Sequence, residues 1–185
     1  NEACPPAMLR THQFDALTER FMPVIESRLQ IPNEMIIHET EHWVINHNFA
    51  SALPGYLILG SKAPVDSLAD LARAALHEFA ELLARSQAIL QRELAPKHLY
   101  VSRYGHSSGY PVHFHLIPVY DWDDRRYRLL DTFANPQKAE TRTDGAELTL
   151  FIWREFGERA HPPAIEGPSI PEVVEQVRAA FTGRD

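Results

Sequence analysis

The sequence predicts an α+β domain, an antiparallel sheet carrying one long helix. Three observations lead there. Short apolar runs at residues 35–38, 43–46 and 55–60 follow one another over brief connections. A long amphipathic stretch comes next, with Leu68, Leu71, Ala75, Phe79, Leu82, Ile89 and Leu90 at helical spacing. Two further strand-like runs then close the pattern at His98–Arg103 and Val112–Val119. Neighbouring strands joined by short links pair antiparallel, and the helix covers one face.

Residues 1–12 read as a loose start with Pro5 and Pro6. Phe14, Leu17, Phe21, Ile25 and Leu29 recur every three or four positions and predict a helix, which Pro23 kinks or splits. Met35–His38 and Trp43–Asn46 are strands, with Glu39–Glu41 as their turn. Gly55–Gly60 is short and apolar enough for a buried strand. Ser67 and Asp70 form a capping pattern for the long helix, and Pro96 stops it. Beyond residue 120 the pattern changes. Asp121–Arg128 is charged, 135–145 is polar, and Leu148–Trp153 suits a strand or the start of a helix. Pro162–Pro171 holds four prolines and should be extended, and Glu172–Phe181 reads as a terminal helix. The expected organisation is one domain over 13–120, followed by a C-terminal extension, 121–185, packed on it.

Composition bounds the function. The 185 residues suffice for one domain with a core. A net charge of -7 argues against gripping nucleic-acid backbones, which takes a basic face. The single cysteine, Cys4, excludes an internal disulfide and cysteine-based zinc motifs. No apolar run approaches the roughly 18 residues of a membrane span, so no membrane partner is expected. Asn1–Arg10 lacks the basic-then-apolar pattern of a secretory signal. A cytoplasmic location is the expectation.

The densest chemical signal is Pro111-Val112-His113-Phe114-His115-Leu116-Ile117-Pro118. Side chains alternate across a strand, so His113 and His115 share one face while Val112, Phe114 and Leu116 face the core. Each imidazole disfavours the other's positive charge, which favours a neutral, nucleophilic ring. Such a ring can attack phosphorus while its neighbour helps a leaving oxygen depart. Two other readings fit the pair alone: satisfied polar residues, or two ligands of a metal with His106 or His47 as a third.

The surroundings separate these readings. His113-Phe114-His115-Leu116 resembles the histidine triad signature, His-φ-His-φ-His-φ-φ with φ apolar. Upstream, the run from Asn48 to Lys62 is similar to the same superfamily's Asp/Asn-x-x-Pro-x-x-Pro-Gly-His-x-Leu-Val-x-Pro-Lys, and fits without a gap. Ile31-Pro32 and Glu39 fall near its Ile-Pro and Glu. The resemblance covers about residues 14–120.

The resemblance implies a five-stranded antiparallel sheet with a long helix, and a small-molecule nucleotide as substrate. It casts His113 as nucleophile on the α-phosphate and His115 as the contact to phosphate and leaving group. Asn48 would hold the ribose hydroxyls, and Asn here resembles the fragile histidine triad branch that cleaves dinucleoside polyphosphates such as diadenosine tetraphosphate. The phosphoramidase branch has Asp. Phe49 would wall the base, or belong to the core. Ser107 and Ser108 would touch phosphates, or form a turn. Arg103 would suit a phosphate, or be a solvated strand end. The resemblance implies no cofactor and no metal for the protein's own chemistry, and a symmetric homodimer.

The departures are specific. Pro111 stands where the first triad histidine would be, Tyr56 replaces a common His, and Ser51 replaces a common Pro. Pro111 keeps a further alternative open: a nucleotide-binding protein with little or no turnover.

Overall fold

The computed structural model describes residues 31–104, 111–134 and 145–183. Its strands are β1 (Ile36–Glu39), β2 (Trp43–His47), β3 (Leu57–Ser61), β4 (His98–Ser102) and β5 (His113–Val119). Its helices are α1 (Arg73–Leu94), α2 (Asp121–Ala134), α3 (Gly145–Trp153) and α4 (Ile170–Thr182), and a π-turn, Arg154–Glu158, extends α3. The expected helix over 14–29 lies outside the described residues.

The strands make one five-stranded sheet in the order β1-β2-β3-β5-β4, with every pairing antiparallel. The β1–β2 turn falls where the sequence places it. Thr40 fixes it: its hydroxyl accepts from the Trp43 N–H at 3.0 Å and donates to Glu78 on α1 at 2.7 Å. Trp43, fully buried, donates its indole N–H to the Ala75 carbonyl at 2.8 Å, so α1 is held to the sheet by a bond as well as by burial.

One face of the sheet carries the main core. Ile37, Trp43, Ile45, Leu57, Leu59, Val112 and Leu116 pack there against Ala75, Leu82, Ile89 and Leu90 of α1 and Val173, Val174, Val177 and Phe181 of α4. Phe114 stacks on Phe79 of α1, with ring centroids 4.5 Å apart. The opposite face carries a second core, Leu53, Tyr56, Ile117, Val119, Tyr127, Leu148, Ile152 and Phe156, supplied partly by α2, α3 and the π-turn. Residues beyond 120 therefore cover both faces.

Two details differ from the sequence reading or add to it, and one open alternative is resolved. Ser67 caps a separate 3-10 turn, Leu68–Asp70, by accepting from the Ala69 N–H at 3.2 Å, and does not cap the long helix. Leu71 is buried and extended (ψ 144°), which breaks the chain between turn and helix, so α1 begins only at Arg73. The charged run from Asp121 is the first half of a helix, α2. Its acidic first turn meets the positive end of the helix dipole, and Tyr127 anchors it in the second core. Leu148–Trp153 is helical: Leu148 and Ile152 are buried one turn apart, while Leu150 and Trp153 face outward. The expected terminal helix forms as α4, with Ser169 and Glu172 as a capping box; the Glu172 carboxylate accepts from the Ser169 N–H at 2.8 Å.

Candidate active site

β5 pairs with β3 and β4, so His113 and His115 sit in the middle of a sheet. Their rings lie on one face with centroids 5.1 Å apart, as strand alternation requires. His113 is half-buried. Its Nδ1 lies 2.8 Å from the Pro111 carbonyl oxygen. A carbonyl only accepts, so Nδ1 carries a proton, and in the neutral ring the lone pair is on Nε2. His115 is buried beneath it. Burial, and then the neighbouring His113, push its pKa down to about 4, so it is neutral at ordinary pH.

Two tyrosines frame His115. The Tyr56 hydroxyl lies 2.9 Å from His115 Nδ1. Burial raises the Tyr56 pKa, Tyr104 adds to this, and the nearby Asn48 side chain offsets a little, so the phenol stays protonated. The Tyr104 ring lies edge-on to His115 at 5.2 Å, and its hydroxyl donates to Thr149 on α3 at 2.9 Å. The C-terminal segment thus reaches the histidines through one side chain.

The loop after β2 lies alongside. Its exit into β3 is fixed by Pro54-Gly55. Gly55 has φ +77°, and a Cβ there would come within 2.5 Å of Leu94 Cδ1. The Tyr120 hydroxyl donates to the Pro54 carbonyl at 2.8 Å. Asn48 is buried, and its Oδ1 accepts from the Ala50 N–H at 3.1 Å. The Ala52 N–H donates to the Phe156 carbonyl at 2.7 Å, so the π-turn braces this loop. Such turns inside helices are frequent at functional sites. Phe49 is 57% exposed, which removes the alternative that it belongs to the core.

Not every sequence candidate joins the pair. Arg103 follows Ser102, which pairs with His115, and so leaves the sheet on the opposite side. It is exposed and donates to the Asp66 carbonyl. Ser107, Ser108 and His106 lie outside the described residues. His47 turns both ring nitrogens onto carbonyls, those of Asn48 and Leu53, each at 3.1 Å. It staples the loop and does not join His113 and His115. Among the described residues no group of three or more His, Cys, Asp or Glu side chains is placed to hold a metal ion.

Sequence reasoning missed Tyr104 and Thr149 and treated Tyr56 only as a departure. Tyr100, Ser102 and Tyr104 alternate along β4 and beyond it, and that pattern already places Tyr104 on the histidine face. Thr149 carried no signal, because only tertiary packing brings α3 there.

No protein-family model matches the chain, and no curated protein matches it. Solved structures do. The chain carries the fold of the histidine triad superfamily. A Hit-like protein involved in cell-cycle regulation from Bartonella henselae aligns over 86% of this chain and 94% of its own, with 15% identity and a TM-score of 0.50. A zinc-bound histidine triad family protein from Mycobacterium smegmatis aligns over 89% and 94%, with 14% identity and a TM-score of 0.50. A uridylyltransferase aligns over 91% of this chain but 49% of its own, with 15% identity and a TM-score of 0.54.

Proposed function

We propose that the protein is a nucleotide hydrolase or nucleotidyl transferase that works through a covalent nucleotidyl-His113 intermediate. The observation that carries this reading is the Pro111 carbonyl on His113 Nδ1 at 2.8 Å, which leaves the Nε2 lone pair as nucleophile. Proline has lost the imidazole of a first triad histidine, but its backbone carbonyl still orients the ring. Loss of that histidine therefore does not favour a protein that only binds.

Nε2 attacks the α-phosphorus, and a P–N bond forms as the bond to the leaving group breaks with its electron pair. Water then attacks phosphorus, the P–N bond breaks, and the nucleoside monophosphate leaves. Hydrogen bonds to the phosphate oxygens supply much of the catalysis in such a step. His115 is neutral and resists protonation until about pH 4, so it serves as a hydrogen-bond donor more readily than as a cationic acid. That suits a leaving group stable as an anion, such as a nucleoside polyphosphate, better than an amine, which must be protonated to leave. Asn48 points the same way through the family resemblance, so a dinucleoside polyphosphate is the preferred substrate. Magnesium would arrive with the polyphosphate. The reading includes a symmetric homodimer through a continuous sheet and the long helix, which sedimentation would measure.

The test is product analysis with diadenosine tri- and tetraphosphate and an adenosine phosphoramidate, with and without chelator. AMP should be released by the native protein and not by a His113→Ala variant. AMP binding without release from any of these substrates would establish the binding-protein reading in its place.

A further inference from the structure

The hydrogen bond between Tyr56 and His115 spans two strands and is buried at both ends. Tyr56 is 1% exposed and His115 is 8% exposed, so water does not take over either partner. A phenol can donate or accept, and an imidazole nitrogen likewise, so the direction of this bond has to be argued. The Asn48 side chain lies near the Tyr56 hydroxyl and acts on it in the sense that favours the phenolate. Asn48 Oδ1 meanwhile faces the Ala50 N–H. The phenol proton then has one acceptor among the described hydrogen bonds, His115 Nδ1. If Nδ1 carried a proton, Tyr56 would have to accept, and its buried hydroxyl proton would be left without an acceptor among the described hydrogen bonds.

We propose that Tyr56 is a positioning residue for His115. Its hydroxyl donates to Nδ1 and holds the ring as the tautomer with the proton on Nε2. His115 then offers a fixed N–H to a phosphate or leaving oxygen while remaining uncharged. This deepens the function proposed above and rests on it for its catalytic consequence, but not for the tautomer itself. Among the described residues, the groups that face His115 are His113 on β5, Tyr56 just before β3 and Tyr104 after β4; α3 contributes only the uncharged Thr149, through Tyr104. None of these is an anion. A histidine at position 56 would itself titrate near neutrality. Tyrosine keeps its proton throughout that range, so the lock does not open with pH.

The test is long-range ¹H–¹⁵N NMR of the His115 ring in the intact protein between pH 5 and 8. The expected result is a single tautomer, Nε2 protonated and Nδ1 bare. In Tyr56→Phe the ring should lose that preference, and its pKa should rise, because a donor to the neutral form has been removed. With a cleavable nucleotide, kcat of Tyr56→Phe should fall on the order of tenfold at nearly constant KM, and the acid limb of its pH profile should move upward. A native His115 protonated on Nδ1 would overturn the proposal, as would an unchanged tautomer and pKa in Tyr56→Phe. The native spectrum decides the direction of the bond even if the variant does not fold. It also needs no substrate, so a failure of the tautomer and a failure of nucleotide cleavage are read separately.

Discussion

Asp123 is fully buried on the first turn of α2, and neither of its carboxylate oxygens has a hydrogen-bond partner. Burial pushes its pKa up to about 7, from an ordinary 3.8. The backbone N–H groups at Tyr120 and Asp124 offset part of this without reaching hydrogen-bond geometry, and the charges of Asp124 and Asp121 add to it. The sign follows from proton uptake. Between the two values the folded chain holds a proton that the unfolded chain has released, so stability falls as pH rises through this window. At about 1.4 kcal/mol per unit the ceiling is about 4 kcal/mol, and local relaxation and water entry reduce it. Asp123→Asn removes the charge and keeps the shape. Its stability relative to the native protein should rise by about 1–3 kcal/mol between pH 5 and pH 8. Urea unfolding at both pH values reads this as a midpoint gain that grows by on the order of 1 M between pH 5 and pH 8. Other titrating groups are common to both proteins and cancel. A difference that does not change with pH, or an Asn variant less stable at pH 8, would refute the burial argument.

Gly55→Ala should destabilise by about 1–3 kcal/mol, because it combines a positive φ with a Cβ pressed against Leu94 and the Tyr120 oxygen, and thermal unfolding reads the loss. His47 and His115 are both held near pKa 4 by burial, against 6.5 unfolded, so the stability they carry is complete above pH 6.5 and is lost as pH falls from there toward 4. A His47→Gln variant should show a shallower acid limb in the same urea titration. Thr149→Val removes the acceptor of the Tyr104 hydroxyl and should lower kcat several-fold at a cost of about 1 kcal/mol in stability; equal kcat would show that α3 does not position the histidine face.

The histidine pair and its strand were legible because period-two alternation is local. Val112, Phe114 and Leu116 announced a core side, and the structure gives them one. The turn at Thr40 and the long helix were legible for the same reason. The start of that helix was not, since Ser67 satisfies a nearby N–H whether or not a helix follows it. α2 was hidden because its aromatic anchor, Tyr127, is isolated among charges. Insertion of β5 between β3 and β4 is a non-local pairing that no stretch of sequence encodes by itself. Thr149 and the π-turn belong to the same category: their relation to the histidines exists only after the C-terminal segment has folded back over the sheet.

The two departures from the triad pattern look different once the donors and acceptors are assigned. The group that hydrogen-bonds His113 Nδ1 is the carbonyl of residue 111, which every amino acid has. Position 56 must supply a donor to His115 Nδ1, and a phenol does this without the second protonation state of an imidazole. Both substitutions replace a titratable histidine by a group that does not change charge near neutrality. What remains is a pair of rings, each with one proton placed by a non-titrating neighbour: on Nδ1 in His113 and, in the proposed tautomer, on Nε2 in His115. A nucleophile beside a fixed donor is sufficient for attack on a phosphorus that carries an anionic leaving group, and it is poorly equipped to protonate an amine. Under the proposed function, the departures therefore narrow the chemistry of the site without removing its nucleophile.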